Sequence, residues 1–87
     1  MITKQVVITN ASGLHARPAS VFVSEAKKFS SRLTIVKGGT PINGKSIIAV
    51  LGAGITCGTE IELQFDGDDE AAAAEALCQS IASGLGE

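Results

Sequence analysis

The sequence predicts an α+β fold: a two-layer open-faced sandwich in the order βαββαβα, with a four-stranded, mostly antiparallel sheet and the helices on one face. Three observations predict it. Glu60-Ile61-Glu62-Leu63-Gln64-Phe65 alternates strictly, the mark of a strand with one buried face. Two segments, at 16–29 and 70–85, repeat apolar residues at spacings of three and four, so each is a helix with one apolar stripe. Gly38-Gly39 and Asn43-Gly44 mark turns in the middle of the chain. Two amphipathic helices need a common apolar surface, and a half-buried sheet supplies it.

Each element has its own warrant. Val6-Val7-Ile8 is a β-branched run and reads as the centre of a first strand. Thr9 to Gly13 is a loop. The first helix runs from about Ala16 to Phe29, with Ala19, Phe22, Val23, Ala26 and Phe29 on its stripe. Lys27 and Lys28 fall in its last turn, where cations suit the helix dipole. Leu33 to Val36 is a second strand, Gly38-Gly39 a hairpin turn, and Pro41-Ile42 a short edge strand. Ser46 is an N-cap for a short apolar helix, Ile47 to Leu51, which Gly52 and Gly54 end. Asp66 to Glu70 turns the chain out of the last strand and places acids at a helix start. The stripe of that helix is Ala74, Leu77, Cys78, Ile81 and Leu85. The alanine run 71–74 is a strong helix former.

Composition narrows the function. Eighty-seven residues make one domain, spanning 1–87. Seven basic against nine acidic residues give a net charge of −2, which argues against general nucleic-acid binding. The only aromatic residues are Phe22, Phe29 and Phe65, too few to stack bases along a basic surface. No apolar run approaches the ~18 residues of a membrane span, and the N-terminus lacks a signal-peptide pattern, so the expected compartment is the cytoplasm. Cys57 and Cys78 are far apart and only one histidine is present, so no metal site is expected. Both cysteines read as reduced thiols, Cys78 in the core.

The most informative segment is Gly13-Leu14-His15-Ala16-Arg17-Pro18-Ala19. Proline is tolerated in a first helical turn, where its missing N–H would have no partner. His15 therefore lies at or just before a helix N-cap. Free backbone N–H groups and the positive end of the dipole make that place an anion site. Arg17 adds a guanidinium whose fork matches phosphate oxygens. A nucleophilic ring nitrogen beside a phosphate cradle is the chemistry of a histidine that carries a phosphoryl group. Histidine suits it because its unperturbed pKa of ~6.5 leaves a neutral nitrogen near pH 7.

That heptapeptide, together with Asn43-Gly44-Lys45-Ser46-Ile47-Ile48, resembles HPr, the histidine phosphocarrier family of the bacterial sugar phosphotransferase system. The resemblance runs from Ile2 to the last helix. It implies a stoichiometric carrier rather than a stand-alone enzyme, with no cofactor. His15 would take a phosphoryl group on Nδ1 from phosphorylated enzyme I, loaded from phosphoenolpyruvate, and pass it to an enzyme IIA component. Arg17 would stabilise the phosphate, with Ala16 and Pro18 in the cradle. The resemblance further implies a docking surface of Ser20, Val21, Ser24 and Lys27 on the first helix and Ile47, Ile48 and Leu51 on the second. In some bacteria a kinase and a phosphorylase act on the serine matching Ser46. Here Ile48 and Leu51 stand where that regulated class often has methionines, and Ala53 where a larger apolar residue is usual. A monomer is the default for a transient carrier.

Three other readings stay open at this point. The His15 motif also belongs to a nitrogen-related branch of the phosphotransferase system, with a regulatory role. A non-catalytic interaction module is another, although such a module has no need of His15 and Arg17. A small hydrolase would use His15 as base and Ser12, Ser46 or Cys57 as nucleophile, but no acid is placed to orient the ring and no G-x-S-x-G elbow exists.

Overall fold

The computed structural model describes residues 1–86. Its elements follow the expected order: β1 (Ile2–Val7), α1 (Ala16–Ala26), β2 (Arg32–Lys37), β3 (Thr40–Asn43), α2 (Ile47–Gly52), β4 (Glu60–Asp66) and α3 (Glu70–Ala82). The strands form one sheet in the order β1-β4-β2-β3, and every pairing is antiparallel. The most regular strand of the sequence, β4, is central, pairing with β1 on one side and β2 on the other. Its register sets Ile61, Leu63 and Phe65 opposite Val6, Lys4 and Ile2, and places Phe65 and Leu63 opposite Leu33 and Ile35. Because side chains alternate across a strand, these positions share the face that the helices cover.

Gly38 and Gly39 both take left-handed backbone angles, φ +56° and +83°, which a two-residue hairpin between twisted strands requires. β3 is one of the two edge strands, with β1 the other, and Pro41 lies on it, where a missing N–H costs least. The core is one cluster. Phe22, Ile35, Leu63, Phe65 and Leu77 are all fully buried, and Ile8, Leu14, Val50 and Ile55 close it at the loop end. α1 packs against both α2 and α3.

Four local expectations are corrected. The Val6-Val7-Ile8 run ends the first strand rather than centring it. Ile8 lies just past β1, where its N–H donates to Thr59 and its carbonyl accepts from Gly58. α1 stops at Ala26, so Lys27 is its C-cap and Lys28 lies beyond, and no basic residue occupies the last turn. From Lys28 onward the N–H groups reach three residues back instead of four, to Glu25 and Ala26, as the chain tightens toward β2. Phe29 packs half-buried against the core from outside the helix. Cys78 is half-buried rather than core. The α3 stripe is Ala73, Ala74, Leu77 and Ile81, and Cys78 is turned toward a groove of about 500 Å³ between α3 and β1. Leu85 is buried as expected, but by a turn after α3 has ended; its own φ is +53°.

Candidate functional site

The His15 site is built from two loops that lie side by side. The chain leaves β1, folds through residues 8–14, and is held by the 55–59 loop. Leu14 N–H donates to Ile55 O at 2.9 Å, and Gly58 N–H to Ile8 O at 2.6 Å. Leu14 is buried there as an anchor. Gly13 carries the tightest constraint. Its φ is +66°, and a Cβ would fall 2.4 Å from Ile55 O and 2.6 Å from Thr56 Cα. Only glycine fits both the angle and the space. Asn10 completes the turn: its Nδ2 donates to Gly13 O at 2.8 Å, and its own carbonyl accepts from Gly13 N–H at 3.1 Å.

His15 follows as the N-cap of α1, in extended conformation (φ −141°, ψ 151°), and its side chain makes no capping hydrogen bond. The ring is exposed. Ala16 then takes φ +51°, a left-handed angle that costs a residue with a Cβ about 1–2 kcal/mol. Arg17 is exposed and Pro18 buried, so the proline anchors the first turn while the arginine stays at its rim. Pro18 has no N–H, which leaves Ala16, Arg17 and Ala19 as the donors of that turn. Gly86 also reaches this rim: a Cβ on it would lie 3.5 Å from Val21 Cγ2 and 4.0 Å from Arg17 Nε.

Ser46 caps α2. Its Oγ accepts from Ala49 N–H at 3.2 Å, and its carbonyl accepts from Val50 N–H at 3.0 Å. Lys45 Nζ donates to Phe29 O at 2.6 Å and ties this cap to the segment after α1. At the other end of α2, Lys37 Nζ donates to the carbonyls of Ala53 and Gly54. Val50 is the buried residue of the helix; Ile48 is 81% exposed and Leu51 38%, while Ile47 is half-buried. On α1, Arg17, Ser20, Ser24 and Lys27 are exposed at spacings of three and four, so they share one face, with Val21 half-buried beside it. Since α1 and α2 pack together, the apolar side chains of α2 and this polar stripe sit on adjoining helices.

The sequence placed His15 at the start of α1, Arg17 in its first turn and Ser46 as the cap of α2, and the structure has them there. The sequence missed the grip of Asn10 on Gly13 and the backing of the site by Ile55 and Thr56. An asparagine three residues before a loop glycine is a turn signal, but nothing local says what the turn is pressed against. Of the nucleophiles in the hydrolase reading, Ser46 Oγ accepts from Ala49 N–H as a helix cap, and the Cys57 thiol donates to Thr9 O at 3.6 Å.

The fold and the site together define a small open-faced α+β sandwich with an exposed histidine as the N-cap of its first helix. The family described as "PTS HPr component phosphorylation site" matches residues 2–83. The "Phosphocarrier protein HPr" of Mycoplasma capricolum is 48% identical over 75 residues, which are 86% of this chain and 84% of that protein. Two solved structures of HPr from Thermoanaerobacter tengcongensis, each 41% identical, also match. One superposes with a TM-score of 0.97 over 100% of this chain and 98% of that one. The other, an HPr dimer, has a TM-score of 0.80 over the full length of both chains. The chain therefore belongs to the HPr family, the phosphocarriers of the phosphotransferase system, and its function is phosphoryl carriage in that system. Among the described residues no helix is long and apolar enough to cross a membrane.

Proposed function

We propose that His15 is the phosphoryl acceptor and donor of this carrier, and that the whole chain works as one carrier domain. The observation that carries the proposal is an exposed histidine standing as the N-cap of α1 without a capping bond of its own. A ring nitrogen attacks phosphorus; the new N–P bond forms as the bond from phosphorus to the donor breaks. Delivery is the same step reversed, with the acceptor as nucleophile. Such transfers need positioning and charge stabilisation more than covalent assistance. The first-turn N–H groups and dipole supply part of that charge stabilisation, with Ala16 and Pro18 shaping the turn and Arg17 closing the rim.

The donor we assign is phosphorylated enzyme I and the acceptor an enzyme IIA component, both in the cytoplasm, with the carrier acting as a monomer. Docking would use Ser20, Val21, Ser24 and Lys27 together with Ile47, Ile48 and Leu51. Ile48 supports this reading, since a large apolar side chain so far from cover is suited to a partner's surface. Ser46 is proposed as a second, regulatory phosphorylation site. A phosphate there would meet the N-terminus of α2 without strain, yet place about −2 of charge within the docking surface.

The test is incubation with phosphoenolpyruvate and enzyme I, followed by measurement of acid-labile phosphate. Wild type should take up one equivalent; His15→Ala should take up none while keeping its melting temperature within a few degrees. Full labelling of the folded variant would remove His15 from the role.

A further inference from the structure

Only two polar residues of the described chain are buried: Asn10, 6% exposed, and Ser31, 2% exposed. They bracket α1. Ser31 belongs to the fold, since it lies at the start of β2 and bonds to Asp69 at the start of α3. Asn10 lies instead in the loop between β1 and α1. Its Nδ2 donates to the carbonyl of Gly13, two residues ahead of the reactive ring. Burying an amide is costly unless it is hydrogen-bonded, and an apolar residue would avoid the cost altogether.

What that bond does follows from the backbone. Gly13 is held at both of its polar groups by Asn10: the N–H by the main-chain carbonyl and the C=O by the side-chain amide. The peptide between Gly13 and Leu14 is then fixed from both sides, because Leu14 N–H is taken by Ile55 O. His15 comes next, and after it the left-handed Ala16. A strained angle persists only where the chain on each side is over-determined. Downstream, buried Pro18 and Ala19 hold it. Upstream, the only side chain gripping Gly13 among the described contacts is that of Asn10.

We propose that Asn10 is a positioning residue for phosphoryl transfer: its amide clamps the Gly13 carbonyl and thereby sets where the His15 ring stands relative to the α1 N–H groups. This rests on His15 as the phosphoryl acceptor. Asn10 does not touch the phosphate; it acts through the backbone it holds.

The experiment compares Asn10→Ala with Ser31→Ala, which removes the other buried polar side chain at the far end of α1. Single-turnover transfer from phosphorylated enzyme I is measured beside melting temperature. Asn10→Ala should slow transfer about ten- to a hundredfold, the scale of a small misplacement of a reacting group. Ser31→Ala should lower the melting temperature while transferring at close to the wild-type rate. Transfer by folded Asn10→Ala within twofold of wild type would overturn the proposal, as would equal slowing in both variants. Should Asn10→Ala fail to fold, the wild type decides. The Asn10 side-chain amide resonances of ¹⁵N-labelled protein should move when His15 is phosphorylated, and unmoved resonances would overturn it. Absence of acid-labile phosphate on the wild type would instead sink the His15 assignment itself.

Discussion

α1 and α2 begin within one small domain in opposite ways. α2 opens on Ser46, whose hydroxyl and carbonyl both accept from its own first turns, so the helix end is closed by its own cap. α1 opens on His15, which makes no such bond, and is followed by a residue at φ +51°. The first arrangement is what stability selects. The second gives stability up, since an uncapped helix start forgoes about 0.5–2 kcal/mol and the left-handed Ala16 about another 1–2. The difference teaches how the two helix starts are specialised: α2 is closed by its own serine, whereas the N-cap side chain of α1 stays clear of its helix, as the proposed phosphoryl acceptor requires. α3 offers a third solution. Asp69 stands at its N-cap, yet its carboxylate turns away from the helix and accepts from Ser30 N–H at 2.8 Å, Ser31 N–H at 2.9 Å and the Ser31 hydroxyl. That N-cap ties two elements together instead of binding a ligand.

The contrast can be broken most severely at Gly13. Gly13→Ala puts a methyl group against the backbone of Ile55 and Thr56 and forces a left-handed angle on alanine. The angle alone is worth about 1–3 kcal/mol, and the clash adds to it. The melting temperature should fall by several degrees and transfer by more than tenfold; a variant that transfers normally would show that the mouth of α1 tolerates displacement. Ile48→Asp tests the neighbouring helix. Ile48 is exposed, so stability should hold within about 0.5 kcal/mol. Transfer from enzyme I should slow about tenfold if the side chain is an anchor worth more than ~1 kcal/mol to docking. Unchanged kinetics would leave α2 as scaffold alone.

Ser46 sharpens the comparison because two substitutions separate its two roles. Ser46→Ala should cost ~0.5–2 kcal/mol of unfolding free energy, as loss of a cap does. Ser46→Asp keeps an acceptor and should hold the wild-type melting temperature, while titration calorimetry should show weaker binding to enzyme I. Equal affinity would confine Ser46 to capping. The smallest effect belongs to Asp69. Its hydrogen bond from the Ser31 hydroxyl, reinforced by the Ser30 and Ser31 N–H groups, holds its pKa down at about 2, against 3.8 for an ordinary aspartate. The charged form is therefore favoured in the folded state. Its contribution is complete above about pH 4 and is lost as pH falls from 3.8 toward 2. Melting temperatures across that window should show a drop that Asp69→Asn makes shallower; parallel curves would remove Asp69 as its source.

Much of this was legible in the sequence because the signals are local. Strict alternation in 60–65 identified the central strand, the Gly38-Gly39 pair its neighbouring hairpin, and the spacing of Ala19, Phe22, Val23 and Ala26 the inner face of α1. The helix start at Pro18 and the cap at Ser46 are equally local, since proline and serine act within a single turn. Boundaries failed where a distant residue intervened. α1 was expected to reach Phe29, but the chain must turn into β2, where Asp69, dozens of positions along, takes the N–H groups of Ser30 and Ser31. Cys78 was expected in the core, but a period of 3.6 does not say which of two adjacent apolar residues faces the sheet.

By itself, then, the sequence determined the order of elements, the alternation that divides the sheet into a wet and a dry face, and the placing of a histidine at a helix mouth beside an arginine. These depend on residues within a few positions of one another. Tertiary structure decided what stands behind that histidine. Gly13 is indispensable because the Ile55–Thr56 backbone leaves no room for a Cβ, and those residues lie more than forty positions away. It also decided that Ile48 faces solvent while Val50 is wholly buried. No local pattern carries such information, because which side of a short apolar helix is covered depends on what folds against it.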